Sequence, residues 1–174
     1  MTAKFGKGIF VANTLPTRKR RLLAFMREHP IGVVCSVTPD GDPHGVVVYY
    51  TVDENLTVRL LTKVRTRKYD NLKHNSHLML VVFDARTQTT LTLTGVAVEY
   101  AGLDAIHEVA RAVFTVPQTT SDNGPPPIAK LVAGAYTTFM IEPAQIRMAA
   151  YGRPQTGDYD ELFESVESFE LSGV

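Results

Sequence analysis

Hydrophobic and polar positions change their spacing several times along this chain, and each change marks a predicted element. Apolar residues recur at helical spacing between Leu22 and Met26, and Pro30 ends the predicted helix because proline lacks an N–H donor and clashes with the preceding turn. Beyond Pro30 the apolar residues are mostly β-branched and stand in short runs separated by turn residues, which is typical of strands. Strands are predicted at 31–38, 44–52, 57–62, 77–84, 88–100, 135–141 and 145–151, and further helices at 65–75, 104–113 and near 160–169.

Turn chemistry between the predicted strands favours an antiparallel arrangement. The sequence PDGDP separates the first two strands and DEN the next two, so two hairpins follow each other. In the strand at 88–100, threonines alternate with Leu91 and Leu93, which is the pattern of a strand with one buried face. The chain shows no strand–helix–strand rhythm. We therefore predict a mainly β fold with flanking helices, whose six or seven antiparallel strands curl into a barrel.

Length and composition are those of one ordinary globular domain. The 174 residues are 44% hydrophobic and 21% charged, and 18 basic side chains balance 18 acidic ones. A net charge of zero gives no field that would attract nucleic acid, and no apolar run is long enough to span a membrane. The N-terminus has no apolar stretch of the secretory kind, and the single cysteine, Cys35, cannot form an intrachain disulfide. We expect one cytoplasmic domain over 1–174, with its core at about 17–151 and an acidic C-terminal tail at 152–174.

The segment LLTKVRTRK at 60–68 carries the clearest candidate chemistry. A short strand runs into a turn rich in hydroxyl groups and cations, and a helix is predicted to start right after it. Threonine hydroxyls, fixed positive charge and the free N–H groups of a first helical turn together suit a phosphate monoester. Arg67 can form a bidentate pair with a phosphate, and Lys68 adds a second cation. The alternative for the segment taken alone is a solvated basic turn.

The order of motifs around this segment resembles the pyridoxamine 5′-phosphate oxidase-like family of FMN-binding split β-barrels. The shared pattern is a helix, two hairpins with a PDG-type turn, the motif T-x-x-x-[ST]-R-K, and a helix with Asn-Leu before the next strand. It covers about 22–99 well and the rest of the chain by layout only. The resemblance implies a split barrel, a non-covalently bound FMN, and a homodimer with the cofactor at the interface.

The resemblance also implies roles for particular residues. The family grips the FMN phosphate with the threonines and cations of the motif at 62–68. The strand at 46–51 matches the one whose backbone lies along the flavin ring, and its valines, with Leu61, can form an apolar wall for that ring. Thr90 falls where the oxidase carries a glutamine near the flavin. The predicted cofactor-binding residues are Val46, Val48, Leu61, Thr62, Thr66, Arg67, Lys68 and Thr90.

Departures from the family pattern change the expected substrate. The oxidase has an arginine at the position of Val46, a substrate-binding lysine at the position of Thr51, and a C-terminal Arg-x-His motif that this acidic C-terminus lacks. Without these anchors we do not expect pyridoxamine phosphate oxidation. We predict an FMN-dependent oxidoreductase acting on an unidentified small substrate, which the loop at 117–127 and the tail would select. Two alternatives stay open: a reductase dependent on the deazaflavin F420, and a non-catalytic FMN- or haem-binding protein.

Three other kinds of residue have weaker claims to function. His44 opens a strand beside the predicted flavin face and can donate to a ring carbonyl or bind a haem, but a solvated turn-edge histidine is the simpler interpretation. His74 and His77 straddle a helix-to-strand change without a third ligand nearby, so we predict no metal site. Cys35 lies in a β-branched strand and is interpreted as packing rather than as a nucleophile.

The apolar content of two strands independently predicts a partner subunit. The strands at 46–52 and 78–83 carry more apolar residues than the interior of one barrel of this size needs. Helices or a second copy of the chain must cover the excess, and we expect a two-fold dimer with an isologous interface. Neither nucleic acid nor a membrane is expected as a partner.

Overall fold

The computed structural model describes residues 15–114, 135–151 and 165–172, so the predicted substrate loop at 117–127 lies outside the described residues. Within those ranges it contains three helices and seven strands. In chain order they are α1 Leu15–Glu28, β1 Ile31–Val37, β2 Pro43–Val52, β3 Val58–Lys63, α2 Arg67–His74, β4 His77–Asp84, β5 Thr89–Tyr100, α3 Leu103–Phe114, β6 Tyr136–Tyr151 and β7 Ser165–Ser172.

One antiparallel sheet closes on itself to form a barrel. Neighbouring strands follow the order β3-β2-β1-β4-β5-β6-β7. Strand β3 also pairs with β6, which closes a six-stranded ring and leaves β7 as an extra strand beside β6. The predicted mainly β fold, with a six- or seven-stranded antiparallel barrel and flanking helices, is confirmed.

Alternating side chains decide which face of each strand fills the barrel. In β5, Leu91 and Leu93 are fully buried, whereas the alternating Thr90, Thr92 and Thr94 are partly exposed on the outer face. Helix α1 adds two fully buried side chains, Leu22 and Met26, to the same core. The hydroxyl of Tyr50 in β2 donates to the carbonyl oxygen of His29 at 2.7 Å, which ties the chain just beyond α1 to the barrel.

Helix α3 packs outside the barrel. Its apolar stripe, which includes Val109 and Val113, contacts Leu61 of β3 and Tyr136 of β6 in a cluster separate from the main core. This packing covers the outer faces of the strands beside the candidate site described below. None of the helices within the described residues combines the length and the apolar character needed to cross a membrane.

The barrel is split between β2 and β3. These strands pair only from Tyr50↔Leu60 to Val52↔Val58. N-terminal to Tyr50, the described pairing of β2 is with β1, and C-terminal to Leu60 that of β3 is with β6. The two strands therefore diverge, and a cleft opens between them.

The helix predicted near 160–169 was wrong over residues 165–169, and its first part, 160–164, lies outside the described residues. Residues Ser165–Ser172 form strand β7 and pair with residues 145–151 of β6. In the sequence, Phe169 and Leu171 alternate with polar residues at the period of a strand, and Leu171 is buried in the main core. Burial of that side chain and pairing with β6 favour the strand.

The predicted break at Glu142–Pro143 was also wrong, because β6 runs without interruption from Tyr136 to Tyr151. Pro143 lies opposite Gly95, where the pairing of β5 and β6 shifts register. A Cβ atom at Gly95 would overlap the carbonyl oxygen of Glu142. Glycine at position 95 thus allows the backbones of β5 and β6 to approach closely. The irregular pairing there also tolerates a proline, which lacks an N–H donor.

Candidate functional site

The split between β2 and β3 contains a cavity of about 330 Å³. Small-molecule sites commonly occupy roughly 300–1,000 Å³, so the cavity has room for a small ligand. Its lining is apolar along the strands and polar where β3 turns into α2, with two lysines and no carboxylate among the described residues. The lining residues are Val46, Val47, Val48, Tyr49, Leu61, Thr62, Lys63, Thr66, Lys68 and Tyr136.

The edge of β2 offers backbone hydrogen-bonding groups to this cavity. The N–H of Tyr50 donates to the carbonyl oxygen of Pro30 at 3.0 Å, so the even-numbered residues of this stretch direct their backbone groups toward β1. Because these groups alternate along an antiparallel strand, those of Val47 and Tyr49 point to the opposite edge. None of the described strands pairs with that edge where β2 and β3 diverge, so it can bind the edge of a flat ligand.

The turn between β3 and α2 places two threonine hydroxyls together. The Oγ1 atoms of Thr62 and Thr66 are 3.4 Å apart, and Thr66 Oγ1 donates to the carbonyl oxygen of Lys63 at 2.8 Å. Thr66 is also the N-cap of α2, where its side chain accepts a hydrogen bond from the N–H of Tyr69. Arg65 adopts a positive φ of 65°, which bends the chain sharply into the helix. Local bonding thus fixes the hydroxyls at one end of the cavity.

Lys68 brings a partly shielded cation to the same end. Burial lowers the pKa of its ammonium group from 10.5 to about 8. Within the described part of the chain, no carboxylate lies at ion-pairing distance from it. A desolvated cation without a counter-ion favours an anionic ligand, since the ligand would restore the interaction that burial removes.

The structure brings most of the predicted cofactor-binding residues together. Six of the eight line the split cavity, whereas Arg67 is exposed and does not line it. Thr90 also lies outside its lining, on the outer face of β5 beside Phe83 of β4. The six residues that line it are Val46, Val48, Leu61, Thr62, Thr66 and Lys68.

Four lining residues were missed by the sequence analysis: Val47, Tyr49, Lys63 and Tyr136. Tyr49 and Tyr50 lie on opposite faces of β2, so Tyr49 lines the cavity while Tyr50 is buried in the core. The Nζ atom of Lys63 lies 5.9 Å from the centre of the Tyr136 ring, a cation–π distance. Only the pairing of Lys63 with Tyr136 across β3 and β6 reveals this contact.

The weaker candidates do not form a second reactive centre. Within 15–114, 135–151 and 165–172, no three His, Cys, Asp or Glu side chains are grouped as a metal site requires. Cys35 is partly buried on the outer face of β1 opposite Met79. His44 differs from the solvated residue that we expected, because its Nδ1 is shielded from solvent.

Solved structures with the same fold are only distantly related in sequence. A heme binding protein from Mycobacterium smegmatis is 15% identical, with a TM-score of 0.63 over 94% of this chain and 60% of that one. A Clostridium acetobutylicum protein of the pyridoxinephosphate oxidase family, related to general stress protein 26, is 13% identical, with a TM-score of 0.61 over 90% and 94%. HutZ, a heme storage protein from Vibrio cholerae, is 14% identical, with a TM-score of 0.55 over 71% and 88%. At these identities the likeness shows the fold alone.

Comparison at the level of sequence identifies the family of this chain. A comparison with curated proteins finds no match. A family model described as pyridoxamine 5′-phosphate oxidase matches residues 19–149, which is well over half of the chain and includes every lining residue of the split cavity. The family resemblance recognised in the sequence is confirmed. This chain belongs to the pyridoxamine 5′-phosphate oxidase family.

Proposed function

We propose that the protein binds FMN non-covalently in the split cavity and is an oxidoreductase acting on a small substrate other than pyridoxamine phosphate. The observation that carries this proposal is the polar end of the cavity. Lys68, Thr62 and Thr66 meet there, and an apolar strand surface extends from them. A phosphate group on a flat, largely apolar ring system matches that division between polar and apolar lining.

Each part of the cavity has a role toward FMN. The Lys68 ammonium group balances phosphate charge, and the hydroxyls of Thr62 and Thr66 donate to phosphate oxygens without adding charge. Val46, Val48 and the free edge of β2 provide a surface and hydrogen-bonding groups for the ring. Arg67 is predicted to add a bidentate contact from its exposed position.

FMN supplies hydride-transfer chemistry when it is bound, so the chain needs to bind, orient and shield rather than to provide an acid or base. The lining residues are consistent with that division, because they include two lysines and two tyrosines but no histidine or carboxylate. Leu61 and Tyr136, backed by α3, exclude water from one side of the cleft. Val46 and Thr51 stand where the oxidase uses an arginine and a lysine, which supports a substrate without the phosphate of pyridoxamine phosphate.

The functional unit that we propose is a homodimer. Apolar side chains remain exposed on the outside of β2, β1 and β4, with Val47 62% and Phe83 56% exposed. Strand pairing sets Val33 between Val47 and Val81, and Cys35 beside Met79. We refer to Val33, Val47, Met79 and Phe83 as the outer apolar face.

A second cavity of about 500 Å³ opens beside the outer apolar face and is lined in part by Cys35, Met79 and Thr94. A second copy of the chain is the occupant that this apolar, uncharged face suits.

Dimerisation also offers a place for Thr90. The split cavity adjoins the outer apolar face through Val47 at β2, and Thr90 adjoins it through Phe83 at β5. Strands β2 and β5 are three positions apart in the sheet, or roughly 14 Å. A two-fold axis that lies in the interface, parallel to the strands and through the middle of the face, would set β5 of one subunit against β2 of the other. In that arrangement Thr90 contributes to the cavity of the partner subunit rather than to its own.

The absorption spectrum of the purified protein tests the cofactor. We expect flavin bands after incubation with FMN and removal of unbound ligand, and weaker retention of riboflavin, which lacks the phosphate. A deazaflavin or haem spectrum, or failure to retain FMN, would contradict the proposal. Bleaching of the bound flavin by NADH or NADPH would support an oxidoreductase. No bleaching with either of these two nucleotides would favour a binding protein.

A further inference from the structure

The lining of the split cavity comes from both faces of strand β3. Leu60 is buried in the main core, so Thr62, two residues further along, also points to the inside of the barrel. Leu61 packs outside the barrel in the cluster with α3, and Lys63 follows it on that outer face. Both Thr62 and Lys63 line the cavity. The two lysines of the lining are therefore not equivalent, because Lys63 leaves the strand on the side away from the Thr62 hydroxyl.

The outer side of the cavity carries an aromatic surface beside Lys63. Lys63 pairs with Tyr136 across β3 and β6, and its Nζ atom lies 5.9 Å from the centre of the Tyr136 ring. That ring is only 8% exposed and belongs to the apolar cluster formed with α3, so its position is fixed by packing. Tyr49 of β2 lines the cavity and packs against the same cluster. We refer to Lys63, Tyr136 and Tyr49 as the outer mouth.

Backbone bonds keep Lys63 directed toward the outer mouth. The hydroxyl of Thr66 donates to the carbonyl oxygen of Lys63 at 2.8 Å, and the N–H of Val64 donates to the carbonyl oxygen of Ala135 at 3.0 Å. The pairing of β3 with β6 thus continues past Lys63. Its side chain is exposed, and among the described side chains no carboxylate forms an ion pair with it. A positioned cation beside an aromatic surface suits an anionic ligand with a flat apolar body.

We propose that the outer mouth is the substrate-binding part of the site and takes a small planar carboxylate, whose negative charge pairs with the ammonium group of Lys63. This inference rests on the proposed function and names the substrate class for it. The outer mouth has one lysine and no threonine hydroxyl, which matches a single negative charge better than a phosphate dianion. Tyr49 and Tyr136 provide rings against which the planar body packs. Lys63 is thus a specificity-determining residue that binds the substrate and takes no part in the transfer of hydride.

Titration of the FMN-loaded protein with trans-cinnamate and with its neutral amide tests this assignment. We expect Lys63→Met to weaken cinnamate binding about fivefold, the upper range for an exposed ion pair, and to change the affinities for the amide and for FMN by less than about twofold. Lys63→Arg keeps the charge and should bind cinnamate like the wild type. Lys73→Met is the matched control, because it removes a cation of α2 that does not line the cavity, and it should change none of the three affinities.

Added salt gives a second measurement, on the wild type alone. Screening should weaken the binding of cinnamate and leave that of the amide unchanged, because only the carboxylate pairs with Lys63. Equal responses of the two ligands to salt would count against the ion pair. This measurement decides the matter should Lys63→Met not fold.

The possible results separate this inference from the proposed function. FMN-loaded wild type that does not bind cinnamate, or that binds it no better than Lys63→Met does, would overturn the role of the outer mouth alone. A loss of FMN affinity in Lys63→Met as large as its loss of cinnamate affinity would place Lys63 at the cofactor and overturn the inference too. Wild-type protein that does not retain FMN would overturn the proposed function, and this inference with it.

Discussion

Lys68 is the residue of the site whose charged form destabilises the ligand-free fold. Burial lowers its pKa to about 8, which means that the folded chain disfavours the charged form. Between this value and the ordinary pKa of 10.5, the unfolded chain binds more protons than the folded one, so stability rises with pH in that window. Below about pH 8 the full penalty applies. A residue with such a cost is typical of a binding site.

The lowered pKa of Lys68 makes FMN affinity depend on pH. In the free protein Lys68 loses its proton above about pH 8, whereas a bound phosphate would raise its pKa and keep it charged. Binding must then take up a proton, so we expect the Kd for FMN to increase by up to about tenfold per unit above pH 8. Calorimetric titration at about pH 7 and about pH 9.5 measures this, with riboflavin as the control. A Kd for FMN that does not change, or that changes in parallel with that for riboflavin, would count against Lys68 as the phosphate ligand.

At the scale of elements, α2 starts at a residue that serves both the helix and the cavity. Thr66 caps the helix and bonds to the carbonyl oxygen of Lys63, so its hydroxyl fixes the turn before any ligand arrives. We expect Thr66→Ala to lower the free energy of unfolding by about 1 kcal/mol, the usual cost of a lost N-cap. Thr66→Ser keeps the hydroxyl and should stay within a few tenths of a kcal/mol of the wild type. Urea denaturation of the ligand-free protein compares the three, and equal stability of all three would show that the cap contributes nothing.

Local patterns made most of the elements and much of the site predictable. Hairpin turns, β-branched runs and the Thr-Arg-Lys motif act over a few residues, so the first five strands and α2 were recognised from the sequence. Arg67 and Lys68 could not be told apart, since neighbours on a helix point about 100° apart and only packing shows which one faces the cavity. Tyr136 could not be predicted because it joins the site through the pairing of β6 with β3, two strands that are neighbours in the barrel but far apart in the sequence. Strand β7 was missed because its pattern is short and rich in acidic residues.

For the whole molecule, the outer apolar face predicts a dimer that a single charge should disrupt. Val33 lies in the middle of this face, between Val47 and Val81. We expect Val33→Lys to give a monomer by light scattering, because a buried lysine without a counter-ion would destabilise the interface. Val98→Lys is the matched control, since Val98 is exposed on β5 away from the face and should leave the dimer intact.

The same pair of variants tests whether the partner subunit completes the site. If Thr90 acts on the partner's cavity, the Val33→Lys monomer should bind FMN more weakly than the wild type, while Val98→Lys should bind it equally well. A wild-type protein that is already monomeric would refute the dimer. A monomeric variant with full FMN affinity would refute the shared site.

Phosphate recognition in the split cavity is tested most sharply by titrating the wild type and Lys68→Met with both FMN and riboflavin. We predict that Lys68→Met lowers FMN affinity about 100-fold, as for the loss of a shielded charge pair, and leaves riboflavin affinity unchanged. The variant should be at least as stable as the wild type without ligand, because it removes a disfavoured charge. Lys73→Met removes an exposed cation of α2 that pairs with Glu99 of β5, and it should bind FMN like the wild type. Equal FMN affinity of Lys68→Met and the wild type would contradict the proposed site.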